Sequence, residues 1–365
     1  MKILQLIQRN QLRGAEIFAA QLSEELQNQG NEVMIISLFE GNAQLPFNGK
    51  QVCLQANSKS RFWNKSAWKK LANVIQEFQP DIVQANAGDT LKYAAFSRML
   101  LGWKAKLIFR NANFISGFVD SFPKKLFNQF LLKQVAGVAS VSALCSEDFK
   151  KTFRFPENKI KVLPIGVLEV KANPSLPEDI NGLLGNSDFL IHIGSFVPEK
   201  NHKELFSIFD YVILKYPKLK LLLIGEGKLK SKYQKQFAGR PEVVFLGSRT
   251  DVDAILPFAK ALLLPSMIEG LPGVILEAMN CSIPVISYDV GGVSEVLLPG
   301  KTGWLIPFGD KEKFVEAIEE VLSMTEDLKL NLLTNAKELI EEHYQISMVA
   351  KKFEAFYTKV LNILN

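Results

Sequence analysis

Cysteine and histidine are scarce in this 365-residue chain, at three residues each. Cys53, Cys145 and Cys281 lie far apart and are odd in number, which argues against a disulfide framework or a zinc pattern and fits a reducing compartment. His192, His202 and His343 have no zinc-ligand spacing, and His192 alternates within an apolar strand as a packed core residue does. No uncharged apolar run nears the roughly 18 residues a membrane helix needs. The opening MKILQLIQRNQ reads as a buried first strand rather than a signal peptide. There is no Walker A pattern, no solenoid-length repeat and no low-complexity tract. The Gly-x-Gly of LLLIGEGKLKSKY has Lys230 where a dinucleotide fingerprint needs its third glycine. The expectation is a soluble, cytoplasmic globular chain.

What is present points to two domains. The length exceeds what one hydrophobic core usually supports, and 47% hydrophobic with 22% charged residues is an ordinary globular balance. Charge is uneven: residues 1–170 carry net +9 and residues 171–365 net −4, within a total of +5. A basic half suits an anionic partner such as a membrane surface, a phosphorylated acceptor or nucleic acid. Drift in surface composition accounts for it equally well.

Strand and helix patterns alternate from KILQLI to GVASVSA, break at the prolines 164, 174 and 177, then restart at FLIHIGSF and continue to IPVISY. Alternation of this kind predicts parallel sheets covered on both faces. The expected fold is α/β, two Rossmann-like domains with a cleft between them: 1–167 plus a C-terminal helix at 344–365 that crosses back, and 168–343. Ligands of open parallel sheets bind outside the carboxyl ends of the strands, so the loops after strands are the ones to read.

The richest of these loops is PSMIEGLPGVILEAMNCSIPVISYDVGGVSEVL. Glu269 sits in the loop and Glu277 on the following helix, with Gly270, Pro272 and Gly273 between them. The helix start offers free amides and a positive dipole end, a seat for phosphate. A flanking carboxylate accepts bonds from sugar hydroxyls but repels phosphate. The pattern therefore suits a diphosphate carrying hydroxylated rings at both ends. A capping Glu269 and a solvated Glu277 are the alternative. After FLIHIGSF, Lys200 precedes the next helix and can neutralise a departing diphosphate; His202 and Lys203 are alternatives. After the first strand, Gly14 opens a helix and permits close approach of a ligand. Asp251 and Asp253 form an Asp-x-Asp at a helix start, where capping outweighs metal binding.

EGLPGVILEAM, followed by IPVISYDVGGVSEVL and PGKTGWLIPFGD, resembles the signature region of the retaining glycosyltransferases of family 4, which have the GT-B fold. IGSFVPEKNH resembles that family's Gly-Arg-x-x-x-x-Lys loop, and RGAE its Gly-Gly-x-Glu turn. The likeness spans nearly the whole chain and is strongest from 190 to 310. It implies retaining transfer of a hexosyl or N-acetylhexosaminyl group from a nucleotide sugar, a UDP-sugar first and a GDP-sugar next. The acceptor it implies is a glycan or lipid-linked molecule of surface polysaccharide, including lipopolysaccharide, biosynthesis. Glu269 would contact the donor sugar, Glu277 the ribose, and the amides from Leu271 to Val274 the sugar and diphosphate. Lys200 and Gly14 would meet the diphosphate, and Arg249 would bracket the base. Ser195 stands where the family has a phosphate-binding arginine. The first-domain histidine of the family is missing, and Gln84, Asn86, Arg110 and Asn111 occupy the corresponding places on the acceptor side. The resemblance implies no cofactor, no metal and no nucleic acid. Its rivals are a GT-B sugar-nucleotide epimerase and a non-catalytic partner subunit.

Two basic and aromatic segments, SKSRFWNKSAWKK (58–70) and SFPKKLFNQFLLKQ (121–134), suit an anionic membrane surface. They predict a peripheral protein on the inner face of the cytoplasmic membrane. Packing of the same rings into the domain's own core is the competing expectation.

Overall fold

A computed structural model describes residues 1–57, 59, 63–170 and 173–362. The chain divides into two compact units, Met1–Gly166 with Ile346–Asn365, and Val167–Gln345. The boundary at Val167 follows from its backbone, which donates to the Tyr344 carbonyl at 2.8 Å and bridges Gln345.

The first unit runs β1 (Lys2–Arg9), α1 (Gly14–Asn28), β2 (Glu32–Phe39), β3 (Lys50–Cys53), α2 (Lys65–Phe78), β4 (Ile82–Ala85), α3 (Gly88–Leu101), β5 (Lys106–Asn111), α4 (Phe122–Leu132), β6 (Val135–Ser140), α5 (Ala143–Thr152) and β7 (Ile160–Val162). Its strands form one parallel sheet in the order β3-β2-β1-β4-β5-β6-β7. Strands buried on both faces need near-continuous apolar runs, which β2 and β4 supply.

The second unit contains α6 (Glu178–Leu184), β8 (Phe189–Ile193), α7 (His202–Lys215), β9 (Lys220–Ile224), α8 (Lys230–Gln236), β10 (Val243–Gly247), α9 (Val252–Ile255), β11 (Ala261–Leu264), α10 (Gly273–Asn280), β12 (Val285–Tyr288), β13 (Trp304–Ile306), α11 (Lys311–Ser323) and α12 (Glu326–His343). Its parallel sheet has the order β10-β9-β8-β11-β12-β13. In both sheets the strand order reverses beside the unit's first strand, which creates a crevice at the carboxyl ends of β1 and β4 and of β8 and β11.

The last helix, α13 (Ile346–Asn362), belongs to the first unit. Its Phe353 ring lies 6.0 Å from that of Phe18 on α1. The buried Tyr357 hydroxyl needs partners. It donates to Gln84 Oε1 at 2.8 Å and accepts from Gln5 Nε2 at 3.3 Å, which pins α13 to β1 and β4.

Local chemistry sets two of these element bounds. α2 starts at Lys65 because Asn64 caps it, its Oδ1 accepting from the Ala67 amide at 3.0 Å. α9 stops at Ile255 and passes into a 3-10 turn containing Pro257. Among the described residues no helix is long and apolar enough to cross a membrane.

Candidate functional site

The crevice of the second sheet gathers the richest chemistry. Lys200 ends a short 3-10 turn after β8, and Glu269 lies in the loop after β11. Lys200 Nζ donates to Glu269 Oε1 at 2.5 Å. Glu269 is only 6% exposed, and a carboxylate so placed requires a partner. The backbone holds the two loops together as well, since the Met267 amide donates to the Glu199 carbonyl at 2.8 Å.

α10 begins four residues after Glu269, with Pro272 just before its first residue. The Ile275 amide donates to the Pro272 carbonyl at 3.1 Å, and the amides ahead of it precede the helical ladder and carry its positive end. Leu271 and Pro272 are buried, whereas Gly273 and Val274 are half-buried. A turn after β12 braces this loop from behind: the Gly292 amide donates to the Gly270 carbonyl at 2.6 Å. A β-carbon on Gly291, whose φ is +60°, would lie 1.8 Å from the Glu269 carbonyl oxygen. Sequence reasoning gave these glycines no role, although two adjacent glycines after a strand were the available signal.

Glu277 is half-buried on α10, and its carboxyl is pushed up to about 7, first by burial and then by the charge of Asp253. It is therefore close to half-protonated at neutral pH. Ser195 is half-buried in the β8 loop. Beside it, β-carbons on Gly225 and Gly227 would fall 2.1 and 2.5 Å from the carbonyl oxygens of Gly194 and Phe196. The Gly-x-Gly thus lets the β9 loop press against the β8 loop.

His192 is a core residue: fully buried, its Nδ1 lies 2.8 Å from the Leu263 carbonyl, and burial lowers it to about 4. His202 is buried too, stacked on Phe196 and lowered to about 2 by the same cause, so it is neutral and no substitute for Lys200. Lys203 is exposed on α7.

Arg249 is held by carboxylates of its own unit. Its Nε and Nη2 donate to Asp251 at 2.8 and 2.7 Å, and its Nη1 donates to Asp179 at 2.6 Å. The guanidinium clamps two carboxylates of its own unit and leaves Asp251 engaged with a cation.

In the first unit Gly14 opens α1, and a β-carbon there would meet no atom within 4 Å. Neither packing nor backbone conformation demands this glycine. Asn86, Arg110 and Asn111 are all buried at the carboxyl ends of β4 and β5. Asn86 donates to Gln5 Oε1 at 2.9 Å and accepts from Gln84 Nε2 at 3.0 Å, which ties its amide into the sheet. Asn111 donates to Ser140 Oγ and the Cys145 carbonyl, both at 3.1 Å, while its Oδ1 has no protein partner among the described residues. Arg110 lies 4.4 Å over the Phe18 ring, with Nε and Nη1 donating to no described protein acceptor, and burial lowers it to about 10. Glu16, the glutamate of the RGAE turn, is a buried carboxyl nearby that accepts from Gln11 Nε2 at 3.0 Å and is raised by burial.

The two basic segments differ. In 58–70, Trp68 is 2% exposed and packs inward, while Arg61 and Phe62 lie outside the described residues. In 121–134, Lys124, Lys125 and Lys133 are exposed, and so are several apolar side chains.

Residues 12–168 match the family model described as Glycosyltransferase Family 4, and residues 178–339 the model described as Glycosyl transferases group 1. An Escherichia coli UDP-Gal:alpha-D-GlcNAc-diphosphoundecaprenol alpha-1,3-galactosyltransferase is 30% identical over 211 residues, covering 54% of each chain. The Bacillus anthracis N-acetyl-alpha-D-glucosaminyl L-malate synthase is 30% identical over 183 residues, covering 49% of this chain and 48% of its own. The chain spans between 48% and 61% of the length of the first curated relatives it matches. Among solved structures, Anabaena HepE in complex with UDP and glucose superposes with a TM-score of 0.82 at 18% identity, over 98% of this chain and 100% of its own. Two family models that together account for most of the sequence, on two parallel-sheet Rossmann-like units, place the chain among the group 1 glycosyltransferases with the GT-B fold.

Proposed function

We propose that this protein is a retaining glycosyltransferase that moves a hexosyl or N-acetylhexosaminyl group from a nucleotide sugar, a UDP-sugar first and a GDP-sugar next, to a glycan or lipid-linked acceptor of surface polysaccharide. The observation that carries this reading is the Lys200–Glu269 pair at the crevice of the second sheet, beside the start of α10. The printed names of the relatives support it: one galactosyltransferase uses a UDP-sugar and a diphosphoundecaprenol-linked acceptor, and HepE binds UDP and glucose.

In this mechanism the amides that open α10 seat the diphosphate, and Lys200 compensates the negative charge that builds on it as the glycosidic bond breaks. Glu269 accepts hydrogen bonds from hydroxyls of the donor sugar, and the ribose hydroxyls fall to Glu277. The leaving phosphate assists deprotonation of the acceptor on the same face, so the configuration is retained. Asn86, Arg110 and Asn111 are the acceptor-side candidates, the last two by way of Nε, Nη1 and Oδ1 atoms that have no protein partner among the described residues.

A thermal-shift screen against UDP, GDP, ADP and their sugars identifies the donor. A ligand at about 100 times its dissociation constant stabilises by roughly 2.7 kcal/mol. Product analysis then tests the chemistry, with retained anomeric configuration expected. An inverted product, or an epimerised sugar formed without acceptor, would refute the reading. Because Lys200 and a helix start supply the positive charge, turnover is expected to persist undiminished in excess chelator, and strict dependence on a divalent ion would contradict that assignment.

A further inference from the structure

We propose that the outer face of α4, with the turn that leads into it, docks on an anionic lipid bilayer. The inference rests on the glycosyltransferase reading for its purpose, delivery of a lipid-linked acceptor, but its physics stands apart from that reading. Only Leu131 and Leu132 of this eleven-residue helix are buried. Phe122, Leu126 and Phe130 are 72%, 54% and 45% exposed, and a spacing of four sets them along one side of the helix. Phe118, in the turn before α4, is 46% exposed.

The apolar surface continues onto neighbouring elements. The exposed Trp63 ring lies 5.4 Å from Phe96 on α3, and Phe96 lies 6.2 Å from Phe127 on α4. Arg98 donates to the Gln134 carbonyl at 2.9 Å and ties the end of α3, where Leu100 is exposed, to the end of α4. A patch of this extent marks an interaction surface.

Charge selects the partner. Lys125 and Lys133 are exposed on α4 and at its end, and Lys65 and Lys69 are exposed on α2, which packs against α3; Lys124 is offset by Asp120 at 2.8 Å. Cations flanking large apolar side chains fit anionic headgroups above acyl chains. A second copy would set lysine against lysine. The face also follows closely in the chain on Arg110 and Asn111, the strand-end residues assigned to the acceptor side.

The test is flotation of the full-length protein with phosphatidylglycerol–phosphatidylcholine vesicles and with phosphatidylcholine vesicles alone. Binding is expected to the anionic vesicles, weakening with salt as screening grows. Lys125→Glu and Lys133→Glu are each expected to weaken it by roughly fivefold or more. The double variant Phe122→Ser/Leu126→Ser should weaken it by at least about tenfold while keeping the nucleotide-induced thermal shift, which shows that the fold and the donor site are intact. No flotation at low salt, or flotation that none of these variants alters, would overturn the proposal. So would a dimer in solution that the serine double variant dissociates, since that result assigns the face to self-association. Vesicle binding without any nucleotide-induced shift would leave this inference standing and remove the donor-site reading.

Discussion

Lys200 and Glu269 stand 69 residues apart and meet because the strand order reverses between β8 and β11. The pair neutralises a buried carboxylate, and in the proposed mechanism it also stations a cation for the diphosphate. Lys200→Ala is expected to lower turnover by on the order of 100-fold or more, and also to destabilise the protein by leaving Glu269 unpaired. Adding Glu269→Gln should restore much of the stability without restoring turnover, which denaturation and steady-state kinetics read separately. Recovery of both together would mean that the pair is structural. Glu277 makes a pH prediction. Its carboxyl is held near 7 in the folded chain against an ordinary 4.5, so the folded state retains a proton that the unfolded state releases. Its contribution to stability is full below about 4.5 and is lost as pH rises through about 7, on the order of 3 kcal/mol in all. Glu277→Gln should flatten that part of the stability–pH curve, and an unchanged slope would show that Glu277 does not cause it. Both glutamates and Lys200 were legible because each sits on a loop or helix start after an apolar strand. The engagement of Arg249 with Asp179, 70 residues away, was not. Pairing of that kind depends on which loops the sheet order brings together, and no local spacing encodes it.

At the scale of elements, two glycines differ in what packing demands of them. Gly14→Ala meets no atom within 4 Å and gains helix propensity at the start of α1, so stability should hold or rise. Gly291→Ala drives a methyl group into the Glu269 carbonyl at a positive φ and should cost stability and donor affinity together, by roughly 1–3 kcal/mol or more in stability. Equal effects of the two substitutions in melting and titration experiments would show that the distinction is wrong. Alternation of apolar strands and amphipathic helices made most of both sheets legible. The stretch after β12 was not: β13 is only three residues long, and α12 is largely polar. The inward turn of Trp68 was also hidden, since lysines beside aromatic rings look alike whether the rings face a core or a membrane. What decided it was the packing of α2 on α3, where Trp68 stacks on Phe96.

At the scale of the whole molecule, the chain carries its positive charge in the first unit and its donor-site candidates in the second, with α13 returning to the first. In the proposed function the loops after β8 and β11 and the start of α10 bind a nucleotide sugar, with Glu269 on the sugar and Glu277 on the ribose. Calorimetric titration of the wild type, Glu269→Ala and Glu277→Ala with the nucleoside diphosphate and with its sugar tests this most directly. Glu269→Ala should keep affinity for the diphosphate but lose the extra affinity the sugar confers, while Glu277→Ala should weaken binding of both ligands. A wild type that binds neither ligand, or two variants that bind both as the wild type does, would contradict it.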